Sequence, residues 1–296
     1  MTKLLANKVA VVTGGTSGIG LAAVQHFVAE GASVIIADIQ DKLGDQISQD
    51  LGEQAAYLHV NVTQESDVAA AVDFAVETYG KLDIFFNNAG AQGDPSPIME
   101  IESEGAGRTF ELLSTSVLLG HKYAARQFVK QGTGGSIIST ASSAGLEGGW
   151  SSVGYTAAKH AVVGVVRQAA AELARQGIRS NAIAPGVVMT PIMAKSYGVP
   201  LDQAEEFAEF LAERLGGTMP SGRVGFAPDI AKVAVFLASD LSAHVNGVTI
   251  PVDGGATAVT LSSFGQDIGL YVEQYWSQAG LRGGSREATS GVKEKT

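Results

Sequence analysis

Residues 9–20 read VAVVTGGTSGIG, and LAAVQHFVAEG follows to residue 31. Val9, Ala10, Val11 and Val12 are small or β-branched and apolar, which suits a buried strand. Leu21, Val24, Phe27 and Val28 then recur at helical spacing until Gly31 supplies a stop. The stretch predicts a strand, a glycine turn and a helix in direct succession. Further strand-like runs lie outward from it: SVIIAD at 33–38, AAYLHVNV at 55–62, LDIFFNNAG at 82–90, GSIISTAS at 135–142 and IRSNAIAPG at 178–186. Alanine-rich helical stretches separate them, which is the alternation of βαβ units around a parallel sheet. None of the runs alternates polar with apolar residues, so helices are expected on both faces. The fold class is α/β, a doubly wound parallel sheet of the Rossmann kind.

Bulk composition narrows the function classes. The 296 residues are 45% hydrophobic and 17% charged, enough for one domain with a substantial core. A formal net charge of -10 opposes binding to nucleic acid or to an anionic membrane surface, which leaves small-molecule chemistry. The absence of cysteine excludes disulfides, thiolate catalysis and cysteine-bound zinc. The five histidines form no HExxH or HxxxH pair, so no metal site is expected, and no GxSxG elbow suggests a serine hydrolase. The N-terminal MTKLLANKVAVVTGG lacks the pattern of a signal peptide. No apolar run reaches the roughly 18 residues of a spanning helix. A soluble, cytoplasmic protein is expected.

Residues 1–256 are read as the catalytic-type domain. Within it, residues 154–176 are apolar almost all round, through Ala157, Ala161, Val162, Val165, Val166, Ala169 and Leu173. Such a helix faces a neighbouring subunit as well as the core, and a homo-oligomer, dimer or tetramer, is expected. Residues 191–222 place Phe207, Phe210, Leu211 and Leu215 on one stripe opposite Glu205, Glu206, Glu209 and Glu213, a helical substrate lid. A C-terminal extension at 257–282 carries Phe264, Tyr271, Tyr275 and Trp276, an aromatic load that suggests packing onto the body or a neighbour. The polar, glycine-rich 283–296 is expected to be disordered.

The loop Thr13-Gly14-Gly15-Thr16-Ser17-Gly18-Ile19-Gly20 can aim backbone amides and a helix N-terminus at a pyrophosphate, with glycines where a Cβ would block the approach. Taken alone it is also compatible with an ordinary strand-to-helix turn. A P-loop is disfavoured because Leu21 stands where the phosphate-binding lysine must be. Asp38 ends the second strand about 20 residues beyond the loop, where a carboxylate accepts bonds from the adenosine ribose and repels a 2′-phosphate. Neither Ser17 nor Ile39 supplies a cation for NADP, so NAD is the expected cofactor. Asp38 can otherwise be read as a surface turn residue.

Tyr155 and Lys159 lie four apart on one predicted helix and share a face. A tyrosine that acts as a base near neutrality must be brought down from about 10, and a nearby ammonium can do this. Ser142 precedes the tyrosine by thirteen residues, at the carboxyl edge of the sheet where such folds bind ligands.

In this order, TGxxxGxG at 13–20, NNAG at 87–90, Ser142, YxxxK at 155–159 and PG at 185–186 resemble the short-chain dehydrogenase/reductase family over about residues 5–256. The resemblance implies that Tyr155 is the general acid/base, that Lys159 lowers its pKa and holds the nicotinamide ribose, and that Ser142 polarises the substrate oxygen. It further implies a cofactor lined by Gly14, Thr16, Ser17, Gly18, Ile19, Gly20, Asn88, Ala89, Gly90, Pro185, Gly186 and Val188. Asp38 and Ile39 would lie at its ribose, Asn61 and Val62 at its adenine, and Thr190 at its carboxamide. Two positions depart from the family. Asn61 stands where an aspartate is frequent, and an amide can still bond adenine. Leu113 stands where an asparagine usually helps hold a water in the proton relay, which leaves the backbone carbonyl, Ser114 or Ser116 to replace it.

Trp150, Met189, Ile192, Met193 and Tyr197 are candidates for a substrate pocket, though apolar residues in such a segment serve equally as core. Few charges accompany them, which suits a bulky apolar alcohol or ketone: alicyclic, aryl-alkyl, terpenoid or steroid. The main rival is a protein that keeps NAD without turnover, motivated by Leu113. Against it, Ser142, Tyr155 and Lys159 would be costly to bury without a task. A 3-oxoacyl carrier-protein reductase would want NADP and a basic docking patch, and Asp38 and the acidic chain oppose both.

Overall fold

The computed structural model describes residues 3–258 and 264–280. Its elements in chain order are β1 (Val9–Thr13), α1 (Gly18–Ala29), β2 (Ser33–Asp38), α2 (Asp41–Leu51), β3 (Ala55–His59), α3 (Glu65–Tyr79) and β4 (Ile84–Asn87). Then come α4 (Ser103–Phe110), α5 (Ser116–Gln131), β5 (Gly135–Thr140), α6 (Val153–Leu173), β6 (Ile178–Pro185), β7 (Val188–Met189) and α7 (Pro191–Ser196). The chain continues with α8 (Ala204–Gly216), β8 (Gly225–Phe226), α9 (Ala227–Ala238), β9 (Thr249–Val252) and α10 (Phe264–Gln278). Seven strands form one sheet in the order β3-β2-β1-β4-β5-β6-β9, and every pairing in it is parallel. The strand order reverses between β1 and β4, which opens a crevice at their carboxyl ends, the usual ligand position in an open α/β sheet.

Parallel strands need crossover helices, and these cover both faces. One core layer joins Val12, Val34, Ile36, Phe86 and Ile138 of the sheet to α1 and α9. The other joins Val11, Ile35, Phe85 and Ile137 to α3 and α5. Successive residues of each strand therefore feed opposite layers, and both layers are apolar, which is why the sequence showed no polar alternation.

The strands stop earlier than the apolar runs suggested. The third ends at His59 rather than residue 62, the fourth spans only Ile84–Asn87, and the fifth ends at Thr140, two residues before Ser142. The excess residues lie on loops at the carboxyl edge, where the chain leaves the sheet. The seventh strand, TIPV, gave no recognisable signal. It is short and contains Pro251, tolerable because β9 is an edge strand paired only with β6.

Helix α6 buries Gly154, Ala158, Val162, Val163, Val166 and Ala170 and leaves Ala157, His160, Gly164 and Ala171 exposed. His160 thus points away from the Lys159 side, as expected from helical geometry. The stripe on α8 is present: Phe207, Leu211 and Leu215 are buried and Phe210 half-buried, while Glu205, Glu206, Glu209 and Glu213 are exposed. Helix α10 packs against that stripe, with the Tyr275 ring edge-on to Phe207 at 5.3 Å and to Phe210 at 4.9 Å. The segment expected to be disordered, 283–296, lies outside the described residues.

Candidate active site

The glycine turn is held open from below. Thr13 donates its hydroxyl to the Phe86 carbonyl at 3.3 Å and accepts from the amides of Asn88 at 2.9 Å and Ala89 at 3.1 Å. Asn88 returns its side-chain amide to the carbonyls of Thr13 at 3.0 Å and Gly14 at 3.3 Å, and accepts from Thr140 at 3.1 Å. One asparagine therefore ties β1, β4 and β5 together at the mouth of the crevice. Thr13 and Thr140 carry this clamp, and the sequence reading gave neither a role.

Gly14 and Gly18 adopt φ of +66° and +52°, the left-handed region that favours glycine. A Cβ on Gly14 would sit 2.9 Å from Ala89 Cα, and one on Gly20 would sit 1.9 Å from the Gly14 carbonyl oxygen. Ser17 precedes α1 as its N-cap yet makes no side-chain cap bond, so the first-turn amides are not masked by it. Those are the properties of a cradle for a diphosphate: bare backbone, free amides and the positive end of a helix.

Asp38 is buried and holds this cradle to β2. Its carboxylate accepts from the Thr16 amide at 3.1 Å, from Ile39 at 2.8 Å and from Gln40 at 3.2 Å. The surface-turn alternative for Asp38 does not hold. Ile39 itself is 61% exposed at the rim, and Gln40 donates to Thr16 at 2.8 Å. Asn61 caps its own turn, its side-chain oxygen accepting from Thr63 Oγ1 at 2.9 Å and the Thr63 amide at 3.1 Å. That leaves its NH2, a donor, for a base edge. Val62 is buried in the α3 layer.

From the other side of the crevice, Pro185 ends β6, and the Gly186 amide donates to Val252 at 3.2 Å. Val188 is buried. Thr190 caps α7, and its side chain lies 3.4 Å from where a Gly18 Cβ would be. The two halves of the expected cofactor site, far apart in sequence, thus face each other. The set fits a dinucleotide: a glycine cradle, a buried carboxylate at the ribose end and a threonine across the gap.

Ser142, Tyr155 and Lys159 converge beside that gap. Ser142 caps a short 3-10 turn, its hydroxyl oxygen accepting from the Ala144 amide at 3.1 Å, and it shares a side-chain hydrogen bond with Tyr155. Lys159 is buried, donates to the Thr140 carbonyl at 2.7 Å and holds its Nζ 5.6 Å from the centre of the Tyr155 ring. Burial brings Lys159 down to about 8, and burial pushes the Tyr155 phenol up, with the Ser142 bond pulling the other way. Here burial, rather than Lys159, sets the direction of the Tyr155 shift. Loss of solvent dominates, and the ammonium is engaged by a backbone carbonyl.

Leu113 lies in a π-helical turn, Glu111–Thr115, that joins α4 to α5. Its side chain is buried, with Cδ2 3.0 Å from where a Gly90 Cβ would be. The two serines expected to substitute for it have already donated their protons and can only accept. Ser114 donates to the Ala158 carbonyl at 2.9 Å, and Ser116 to Leu112 at 2.5 Å. A π-turn leaves backbone groups out of step with the helix, and no sequence pattern announces it.

Of the pocket candidates, Trp150, Met193 and Tyr197 pack partly buried on a cluster that contains Phe207, Leu211, Leu215 and Tyr275. Met189 is buried inside that cluster and acts as core, whereas Ile192 is 43% exposed on α7 and lies outside it. Trp150 also donates to Glu147 at 3.3 Å. Among the described residues, no His, Asp or Glu group is arranged to hold a metal ion, and no helix is long and apolar enough to cross a membrane.

A family model described as "Enoyl-(Acyl carrier protein) reductase" matches residues 14–257. The chain is 46% identical over 263 residues to momilactone A synthase of Oryza sativa subsp. japonica, covering 88% of this chain and 93% of that protein. It belongs to the short-chain dehydrogenase/reductase family. Another relative of the family is 3beta-hydroxysteroid dehydrogenase 2 of Eggerthella lenta, 39% identical over 258 residues, with 86% of this chain and 96% of that one covered. The crystal structure of levodione reductase superposes with a TM-score of 0.77 at 34% identity, over 86% of this chain and 99% of that one. Dehydrogenases and reductases of this family bind nicotinamide cofactors, and the chain is an oxidoreductase of that kind. Helix α10 lies beyond the span of the family model.

Proposed function

We propose that this protein uses NAD to interconvert a secondary alcohol and a ketone on a bulky, mostly apolar substrate of alicyclic, aryl-alkyl, terpenoid or steroid type. The observation that carries the proposal is the convergence of Ser142, Tyr155 and buried Lys159 at the mouth of the dinucleotide crevice, with Lys159 Nζ at 2.7 Å from the Thr140 carbonyl and 5.6 Å from the Tyr155 ring centre. NAD, when bound, supplies the acceptor for the hydride leaving the alcohol carbon, and its reduced form the donor in reverse. Asp38 favours NAD because a 2′-phosphate would bring negative charge to a buried carboxylate with no cation at Ser17 or Ile39 to offset it.

The chain's own groups then manage a proton. Ser142 Oγ and Tyr155 Oη hold the reacting oxygen between them. Held protonated by burial, Tyr155 is ready to give its proton to that oxygen as a ketone is reduced. Alcohol oxidation needs the phenol lowered, and Lys159, protonated below about 8, is the cation positioned to do it. With Leu113 apolar, a relay water behind Lys159 is left to acceptors: the backbone carbonyls of the π-turn and the lone pairs of Ser114 and Ser116, whose protons are already donated.

Helices α7, α8 and α10 close the substrate side as a lid, and their apolar inner surface supports the choice of an apolar substrate. The relatives named for momilactone A and for a 3beta-hydroxysteroid agree with that class. We further propose a soluble, cytoplasmic homo-oligomer that pairs through the exposed small residues of α6. Incubating the protein with NAD or NADP and a panel of secondary alcohols, and following reduced nicotinamide by absorbance, tests cofactor and class together. Turnover confined to small charged hydroxy acids would contradict the substrate class. A second reading, an NAD-binding protein without turnover, is favoured only by Leu113. Cofactor binding with no reaction in either direction would support it, with Leu113→Asn as the test for restored turnover.

A further inference from the structure

Tyr275 is only 3% exposed, and its hydroxyl has no hydrogen-bond partner. Its ring is gripped edge-on between Phe207 and Phe210 of α8. Leaving a hydroxyl unsatisfied in such a place is destabilising, and a phenylalanine would fill the same space without that cost. Glu206, exposed on α8, is near enough for its charge to act on Tyr275 but accepts no bond from it. The cluster that encloses the ring is the one on which Trp150, from the loop after Ser142, and Met193 and Tyr197, from the segment after Gly186, are packed. The hydroxyl of Tyr275 is thus an unpartnered polar group in the same apolar cluster on which these pocket candidates pack.

Resting on the alcohol and ketone chemistry proposed above, we infer that Tyr275 is a specificity residue that hydrogen-bonds a second oxygen on the substrate, distal to the reacting one. The substrate class is then narrower than an apolar ketone: it is a cyclic or polycyclic skeleton with a second carbonyl or hydroxyl across the ring system. A site built to bond a substrate oxygen discriminates strongly against the analogue that lacks it, because the site's own group is left unpaired. Tyr275 belongs to α10, so this preference comes from the extension beyond the family's common body.

The test compares a bicyclic monoketone with the matching bicyclic dione in the full-length protein, by calorimetric Kd with oxidised NAD present, which cannot reduce either ketone, and by kcat/KM with NADH. Wild type is expected to favour the dione. Tyr275→Phe is expected to lower the dione-to-monoketone ratio about tenfold, in Kd and in kcat/KM alike, with a melting temperature equal to or above wild type. Glu206→Gln is expected to leave the ratio where it is. An unchanged ratio in Tyr275→Phe overturns the inference, as does a wild type that binds neither ketone or shows no preference. A fall in melting temperature for Tyr275→Phe, matched by Glu206→Gln, would assign the hydroxyl to a structural bond and likewise overturn it. Binding with the expected ratio but no turnover would sink the proposed reaction while leaving Tyr275 supported by Kd.

Discussion

Replacing Gly20 by alanine separates a loop shaped for a ligand from one that merely turns. Its Cβ would lie 1.9 Å from the Gly14 carbonyl oxygen and 2.7 Å from Asn88 Nδ2. A carbon and an oxygen in ordinary contact stand well over 3 Å apart, so something must move by more than 1 Å. The carbonyl cannot swing freely, because Asn88 Nδ2 holds it at 3.3 Å and holds Thr13 as well. Overpacking of this sort costs about 1–3 kcal/mol. If most of it falls on the cradle, 2 kcal/mol corresponds to about 30-fold weaker cofactor binding. Gly18→Ala provides the contrast. There the Cβ meets Thr190 at 3.4 Å, and the remaining penalty is the left-handed φ of +52°, about 1–2 kcal/mol. Urea unfolding and NADH fluorescence titration on both variants read the two effects. Gly20→Ala binding NADH within threefold of wild type, with an unshifted urea midpoint, would refute the reasoning.

Asp38→Ser should raise the kcat/KM ratio of NADP to NAD by at least tenfold, because it removes the carboxylate that opposes a 2′-phosphate; an unchanged ratio in the absorbance assay counts against that role. Lys159 falls from 10.5 to about 8 on burial, on the order of 3 kcal/mol against the folded, ligand-free protein while the lysine is charged. Between about 8 and 10.5 the unfolded chain binds the extra proton, so this penalty is relieved as pH rises. Lys159→Met should therefore be more stable than wild type at pH 7, with the gap closing towards pH 10, and a less stable variant at pH 7 would contradict it. His121 is held down to about 4 by burial, with Nδ1 at 2.8 Å from the Val117 carbonyl and Nε2 at 2.9 Å from Ser180. Its contribution is complete above about 6.5 and is lost as pH falls to about 4, so His121→Gln should flatten the acid limb of a urea-midpoint profile.

The sequence carried the architecture because its signals are local. A buried parallel strand must be apolar throughout, and VAVVT, SVIIAD and IFFN are. A helix that starts on a phosphate cradle must follow glycines, and α1 does. Asp38 and the Tyr155–Lys159 spacing were legible for the same reason, since each rests on a few neighbouring positions. What escaped the reading depends on contacts distant in sequence. Thr13 and Thr140 matter through Asn88, 75 and 52 residues away. The π-turn at Leu113 and the engagement of Ser114 by Ala158 arise from packing of α5 on α6. The direction of the Tyr155 shift is set by burial, which spacing alone does not reveal. Likewise, the sorting of Met189 into the core and Ile192 onto the surface follows from how β7 and α7 pack against α8. Tyr275 was visible as an aromatic of the extension, but its unpaired hydroxyl was not.

The most direct measurement is hydride transfer by Tyr155→Phe against wild type, with NADH affinity determined in parallel by fluorescence. Phenylalanine keeps the ring on α6 and removes the hydroxyl, with its proton and its contact to Ser142. The account predicts a fall in kcat of about 10²–10⁴-fold, the usual range for a lost general acid, with NADH binding within threefold of wild type. A Tyr155→Phe protein that turns over within tenfold of wild type would contradict it.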